Sequence, residues 1–563
     1  MQKILVTIAC VFVLVFQGGF NDSIWSLMGI LFAVYLVFFG KKKPLAPVVL
    51  LFLSVIAVYT VAMFYHGLTF EALASVNRVM VVFLAVMVFS NIEADIDSTM
   101  FITGLVAAGI GIAAFTGILP WEGAVTARRL QSTFQYANAA GLFFVVSAFI
   151  VHRHDKRRPY AFVLETAMLL TQSVGAIIVY IVGSAVYAII KKAGAGYLIC
   201  SLMLAGASAA VIFGFVYIIQ MPPVGALALL IILALWKWQQ PRLNNFAKKK
   251  LVLWVGVGSL PIIGVGLVFM RGLRPLATYL ERVIHSYDGI RVMLSYPFGL
   301  GPGGWQFQVE QYQSALYAIS KIHNEYVSMG VDAGILVLVP VLAVIAYWFK
   351  KKKWDYVSIG AAMILVHGVA DIPFSFLLIV MVLAMLVASG LETKPMHVCM
   401  RFALVVPIVL GVIVFSTMVV KNRAAWLASG GETRAAIHML DNRPVRSDTD
   451  AILIQMQLFY DLNERDNIER VFQYLPRPVA GAYFIRASSA LNNYAPEEAI
   501  GLAMRGIALA PYRARGFSLA RQIIVHLDYD MQLVYQQKME LYMAGVRVNP
   551  LSIYITRILE GGR

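Results

Sequence analysis

His323 and Asn324 close a polar interval, running from Arg291 to Gly334, inside a chain that is otherwise strongly apolar. Imidazole has an unperturbed pKa of about 6.5, which suits it to proton transfer near neutrality. Asn324 stands where it would hold that imidazole or the helix start that follows. Between Arg291 and His323 lies the turn Tyr296-Pro297-Phe298-Gly299-Leu300-Gly301-Pro302-Gly303-Gly304-Trp305, and glycines such as Gly299 and Gly301 allow backbone to approach a bound group closely. His367 and Asp371, four residues apart at a turn between apolar segments, are each other's natural partners and functional candidates as ionisable groups beside spans. Plainer readings stand beside these: Arg291 as an anchor at a membrane surface, Arg128 and Arg129 as flanking charge, and His323 as a structural histidine.

Other chemistries have no anchor. Cys10, Cys200 and Cys399 sit far apart, in or beside apolar segments, and suggest neither a disulfide framework nor a metal site. The chain carries no HExxH, paired CxxC, GxSxG or P-loop pattern, so no metal or cofactor is expected.

The elements that must position these residues are helices in a membrane. Hydrophobic residues make up 60% of the chain and charged residues 13%, against roughly a quarter charged in soluble domains. Mean hydropathy is +0.76. Apolar runs approaching the roughly 20 residues that cross a bilayer recur over the first three quarters, and in hydrocarbon only helices satisfy their own backbone. The fold class expected is all-α, a polytopic bundle of about 14–15 spans. They fall near 4–20, 23–40, 45–65, 73–90, 100–118, 138–152, 159–172, 174–190, 196–219, 224–238, 251–270, 326–349, 356–370, 374–390 and 402–420. A signal peptide at Ile4 to Phe16 is disfavoured, since no small-residue cleavage site follows.

The net charge of +16 is carried by short runs at alternate loops: Lys41 to Lys43, His152 to Arg158, Lys191-Lys192, Arg242 to Lys250, Lys350 to Lys353 and Lys394 to Arg401. That is the positive-inside pattern, and it keeps both HRHDKRR and Lys191-Lys192 inside only if 159–190 crosses twice. A nucleic-acid binder would gather these charges on one soluble face, and it would interleave aromatics among them. The expected localisation is the cytoplasmic membrane, with a large outside loop at about 271–325. From about Lys421 to Arg563 the chain becomes more polar and reads as a soluble helical domain, also outside. Pro496 at a helix start and Pro511 closing a unit give it a tetratricopeptide-like rhythm, with a generic α-helical domain as the alternative. Such a module would bind a protein partner or cap the active face.

Arginine, Pro-x-Gly-x-Gly, a spacer, His-Asn-x-Tyr and a helix start bearing Gly330 and Gly334 together resemble the O-antigen ligase and polymerase superfamily. Arg129-Leu130-Gln131-Ser132-Thr133-Phe134-Gln135-Tyr136-Ala137-Asn138 resembles that family's Arg, Thr-Phe, Asn segment before a span. The resemblance implies a metal-independent membrane glycosyltransferase, which passes a glycan from an undecaprenyl-diphosphate carrier to a hydroxyl of a glycan, lipid or protein acceptor. On that reading Arg291 grips the diphosphate bidentately, with Arg128 or Arg129 and Arg271 or Arg274 as helpers, and His323 removes the acceptor proton or orients the hydroxyl. Asn138, Asp332, His367 and Asp371 complete the expected surroundings. The chain departs from the family at Ser173-Val174-Gly175, where Ser-Arg-Gly is common, and at Asp332, where glutamate is common. Either another outside arginine replaces the missing one or the donor site differs.

Two other function classes are compatible with many spans. A transporter or flippase of lipid-linked glycans would place ionisable residues near mid-bilayer in two related halves, which this chain does not show. A non-catalytic assembly component would leave His323 free to change.

Overall fold

The computed structural model describes residues 2–92, 94–191, 195–246, 274–352, 354–545 and 549–552. The expected span at 251–270 and Arg271 lie outside the described residues.

The described chain is helical almost throughout, apart from two small two-stranded antiparallel sheets: Lys42–Pro44 with Thr393–Pro395, and Val125–Thr126 with Arg129–Leu130. By length and composition six helices suffice to cross a bilayer: Asp22–Phe39, Ala46–His66, Phe70–Asn91, Ile96–Phe115, Gly196–Tyr217 and Val398–Ser429. Six shorter apolar helices accompany them. Two of these, Ala137–Val151 and Leu377–Ala388, together with the helix Ala161–Leu170, are buried on nearly every side and form the centre of the bundle. Helices apolar all round belong in such a place. Phe143, Phe144, Phe149, Phe162 and Phe376 are wholly buried there. One carboxylate enters this core: Glu165 is met by His152 at 2.9 Å, by Ser201 at 2.5 Å and by the Tyr180 hydroxyl, so its lone pairs are occupied.

One expected interval divides where expected, and one expected span differs in detail. The 159–190 interval is two helices, Ala161–Leu170 and Val174–Lys191, broken at Thr171 to Ser173, where Gln172 adopts φ +52°. The interval 326–349 is also broken. Glu325–Ala333 ends at Gly334 (φ +85°), a 3₁₀ turn covers Ile335–Val337, and Leu338–Lys351 continues. Only glycine tolerates that position, because the Pro297 carbonyl presses against the face where a β-carbon would stand.

Among the described residues, the basic runs at 41–43, 152–158 and 394–401 lie towards one end of the bundle. Lys42–Pro44 pairs with Thr393–Pro395, Arg401 donates to the Gly40 carbonyl (2.8 Å), and Arg157 donates to Ser98 (2.7 Å). His154 meets Asp97 at 2.8 Å in the same region.

The other end carries the interval expected to be a long outside loop, and its structure is mostly helical. A helix, Arg274–Ser295, is followed by the glycine turn, a short helix Trp305–Tyr312, and an irregular segment leading to His323. Asp288, fully buried, accepts from the Ser314 amide and the Tyr317 hydroxyl, both at 2.8 Å, and thereby ties that segment to the helix.

Beyond the long helix Val405–Ser429, seven more helices run from Thr433–Asp441 to Tyr529–Ala544 with apolar cores of their own. Pro496 occupies the first turn of Pro496–Leu509, which packs against Ala480–Asn492. This region covers the polar end. Thr449 donates its amide to Glu71 (2.8 Å), Ser447 donates to the Leu68 carbonyl (2.7 Å), and Arg477 donates to the Leu300 carbonyl (3.2 Å).

Candidate functional site

Asp371 is the hub of the polar end. It is 2% exposed, and four groups converge on its carboxylate: the Tyr136 hydroxyl at 2.6 Å, the Asn138 amide at 2.7 Å, Arg282 Nη1 at 3.0 Å and the Ile372 backbone amide at 2.9 Å. Burial alone would raise this carboxyl, yet Arg282, His367 and His323 with the Tyr136 hydroxyl hold it below the ordinary carboxylate range. The network extends through Asn138 to Arg129, whose Nη2 donates to Asn138 Oδ1 (3.0 Å) and whose Nε donates to the Thr171 carbonyl (2.9 Å). Arg282 also donates to the Ala370 carbonyl at 2.8 Å through the same Nη1, and its Nε and Nη2 make no hydrogen bond to any described residue.

His323 enters from the segment before helix Glu325–Ala333. Its ring centroid stands 5.6 Å from that of His285, and His285 in turn packs 4.5 Å from the Tyr317 ring. His323 Nδ1 is buried without a hydrogen-bond partner among the described residues. Burial lowers its pKa to about 4, aided by Arg282 and His285 and opposed by Asp371 and Glu281. The imidazole is therefore neutral at pH 7, with a nitrogen unengaged. Asn324 takes no part in holding it. Its side chain caps the following helix, accepting from the Tyr326 and Val327 amides at 3.1 Å each, as asparagine favours at a helix start. His367, at the end of helix Tyr356–His367, is 4% exposed, and a β-carbon on Gly175 would lie 3.4 Å from its Nε2. Ser173-Val174-Gly175 thus borders the same centre.

Of the residues singled out in the sequence, Arg129, Asn138, His323, His367 and Asp371 come together, and Asn324 orders the element beside them. Arg291 is elsewhere. It lies within helix Arg274–Ser295, 3.7 Å from Asp288, above the Tyr287 ring, and lines a separate cleft of about 570 Å³ with Tyr512 and Lys538. Its place in a loop opening beside His323 is corrected: a helix of this length carries it past the histidine cluster. Arg128 is exposed and turns to the Tyr217 ring, 5.4 Å away. Arg274 begins its helix, and its side chain lies outside the described residues, as does Arg271.

The glycine turn packs on protein. Leu300 donates its amide to the Val331 carbonyl (2.7 Å) and Gly303 donates to Asp332 Oδ1 (3.1 Å). The space beside Gly299 (φ +68°) is filled by Val331 and Asp332, and that beside Gly301 (φ +84°) by His66. The close approach anticipated for a bound group is thus used to seat the turn on helix Glu325–Ala333.

The sequence reading passed over Arg282, His285, Glu281 and Tyr136. A signal was present: Glu281, Arg282, His285 and Asp288 recur at helical spacing in TYLERVIHSYDGIR, which marks one helix rather than a loop. Among the described residues no cluster suited to holding a metal ion occurs. No protein-family model matches the chain, and no curated protein matches it.

Proposed function

We propose that the chain is a metal-independent membrane glycosyltransferase of the O-antigen ligase and polymerase type, transferring a glycan from a polyprenyl-diphosphate carrier to an acceptor hydroxyl. One observation carries this reading: a neutral histidine with a buried nitrogen lies beside an arginine, and neither that nitrogen nor the Nε–Nη2 edge of the arginine is engaged by any described residue, at the end of the bundle opposite the described basic runs. Arg282 takes the part first given to Arg291. Its flat pair of donors matches two diphosphate oxygens, while Asp371 and the Ala370 carbonyl fix the guanidinium in advance. Arg129, held by Asn138 and Thr171, adds positive potential to the same centre.

In the reaction, the acceptor oxygen bonds to the anomeric carbon as the bond from that carbon to the diphosphate oxygen breaks. The diphosphate departs with the electron pair, and the hydroxyl proton passes to His323. Binding the anionic donor raises the proton affinity of the imidazole when it is needed, because a nearby negative charge favours the protonated form. Asp371 and Tyr136 position Arg282 and do not meet the reacting atoms in this scheme. Orientation of this centre to the outside, about 14–15 spans in all, and a C-terminal region of tetratricopeptide type belong to the same reading, supported by the segregation of basic runs at the opposite end.

The test is glycan transfer in membranes containing the His323→Ala protein. Loss of transfer at normal expression is the expected result, and transfer at the native rate overturns the assignment. Lipid-linked glycans in cells lacking the protein then separate the two subclasses, since single repeat units accumulate without a polymerase and long chains without a ligase.

A further inference from the structure

A second cavity, of about 320 Å³, lies on the other side of the segment that carries His323. Ser320, Lys321 and Glu325 line it, whereas His323 turns to the Asp371 cluster. Its remaining walls come from the ends of helices Asp22–Phe39, Ala46–His66 and Phe70–Asn91, from the glycine turn, and from Lys421 and Asp450 of the C-terminal region.

Its cations are already engaged. Arg78 is held by Asp22 at 2.6 Å and donates to the Phe20 carbonyl at 3.0 Å. Lys421 faces Asp448 at 3.3 Å and Asp450 at 3.6 Å. Lys321 donates to Ser375 at 3.1 Å. Five carboxylates line the cavity against three cations, so it has no excess of positive charge with which to hold a phosphate. Three polar atoms on its walls have no partner among the described residues: Trp25 Nε1, Trp305 Nε1 and Glu71 Oε2, on residues only 1%, 4% and 7% exposed. Buried polar atoms are normally satisfied, so such a set marks a place where a ligand supplies the missing hydrogen bonds.

We infer that this cavity is a binding site for a neutral, hydroxyl-rich ligand, a sugar ring of the glycan other than the one that reacts. Hydroxyls both donate and accept, so one ring satisfies the Glu71 carboxylate and both indole N–H groups. The inference rests on the glycosyltransferase reading for the identity of the sugar, but its geometry does not involve His323. Binding energy from such a remote ring would hold the reacting end in place, so shortened acceptors are expected to be transferred slowly.

The experiment is calorimetric titration of the full chain in detergent, with neutral oligosaccharide released by mild acid from the surface glycan of the source cells, and separately with inorganic pyrophosphate. Saturable heat with the oligosaccharide is expected, weakened about tenfold in Glu71→Gln, which keeps the acceptor for the Thr449 amide, and in Trp305→Phe, which keeps the apolar body. His323→Ala should bind the oligosaccharide as the native protein does while losing transfer. Oligosaccharide that also raises the thermal midpoint of the native protein, and raises it less in both variants, gives the same answer where a variant folds poorly. Absence of oligosaccharide binding, binding unchanged in both variants, or pyrophosphate binding lost with them would overturn the sugar site. Transfer surviving in His323→Ala would overturn the catalytic reading and leave the sugar site standing.

Discussion

Arg282 and Arg291 share a helix yet have different occupations, and the difference can be measured. Arg282→Lys keeps the charge and removes the two-donor edge, and transfer is expected to fall by about 10²–10³-fold, the usual loss when one preorganised charge-stabilising donor goes. Arg291→Lys is expected to leave initial rates nearly unchanged, since its ion pair with Asp288 is half exposed. The His323 pKa of about 4 has a further consequence. The proton-accepting form persists well below the ordinary titration range of histidine, so the acid limb of kcat/KM should fall near pH 4 to 5, and a limb centred at 6.5 would contradict this environment. Stability follows the same linkage. A folded-state pKa below the unfolded value contributes stability that is present above pH 6.5 and lost as pH falls towards 4, because there the unfolded chain binds the proton first. Chemical denaturation at pH 7 and at pH 5 should show this loss, and His323→Ala should reduce it.

Local elements decide how much of this was legible beforehand. His323 and Asn324 were visible because they adjoin in sequence and precede an apolar run, and Arg129, Asn138, His367 and Asp371 because each flanks a span. Arg282 was hidden by the opposite logic: a helix of mixed polarity, lying at the end of a bundle, resembles a loop when spans are counted by hydropathy. The break at Gly334 was equally hard to anticipate, since it depends on the Pro297 carbonyl arriving from a distant turn. Asn324→Ala is expected to cost about 1 kcal/mol through the lost cap, lowering the thermal midpoint in detergent while leaving some transfer. Gly334→Ala should cost more, because φ +85° disfavours any side chain and the Pro297 carbonyl fills the space. A midpoint equal to the native one in Gly334→Ala would mean that the turn packs differently.

Across the described residues, the candidate site and the basic runs lie at opposite ends of one helical bundle, and this makes the proposed orientation testable with thiols. Cys399 is exposed near the paired basic strands, while Tyr494, 94% exposed, lies in the C-terminal region. A membrane-impermeant maleimide applied to spheroplasts is expected to label Tyr494→Cys and to spare Cys399 until the membrane is opened; the reverse pattern would invert the proposed topology. The pairing of Lys42–Pro44 with Thr393–Pro395 bears on how such a chain is made. At roughly 5–20 residues per second, a ribosome needs about 20 to 70 seconds to travel from one strand to the other. For that interval the first lysine-rich strand lacks its partner, so a nascent polypeptide arrested before Thr393 should be degraded faster than the full chain, although nearly every apolar helix precedes that point.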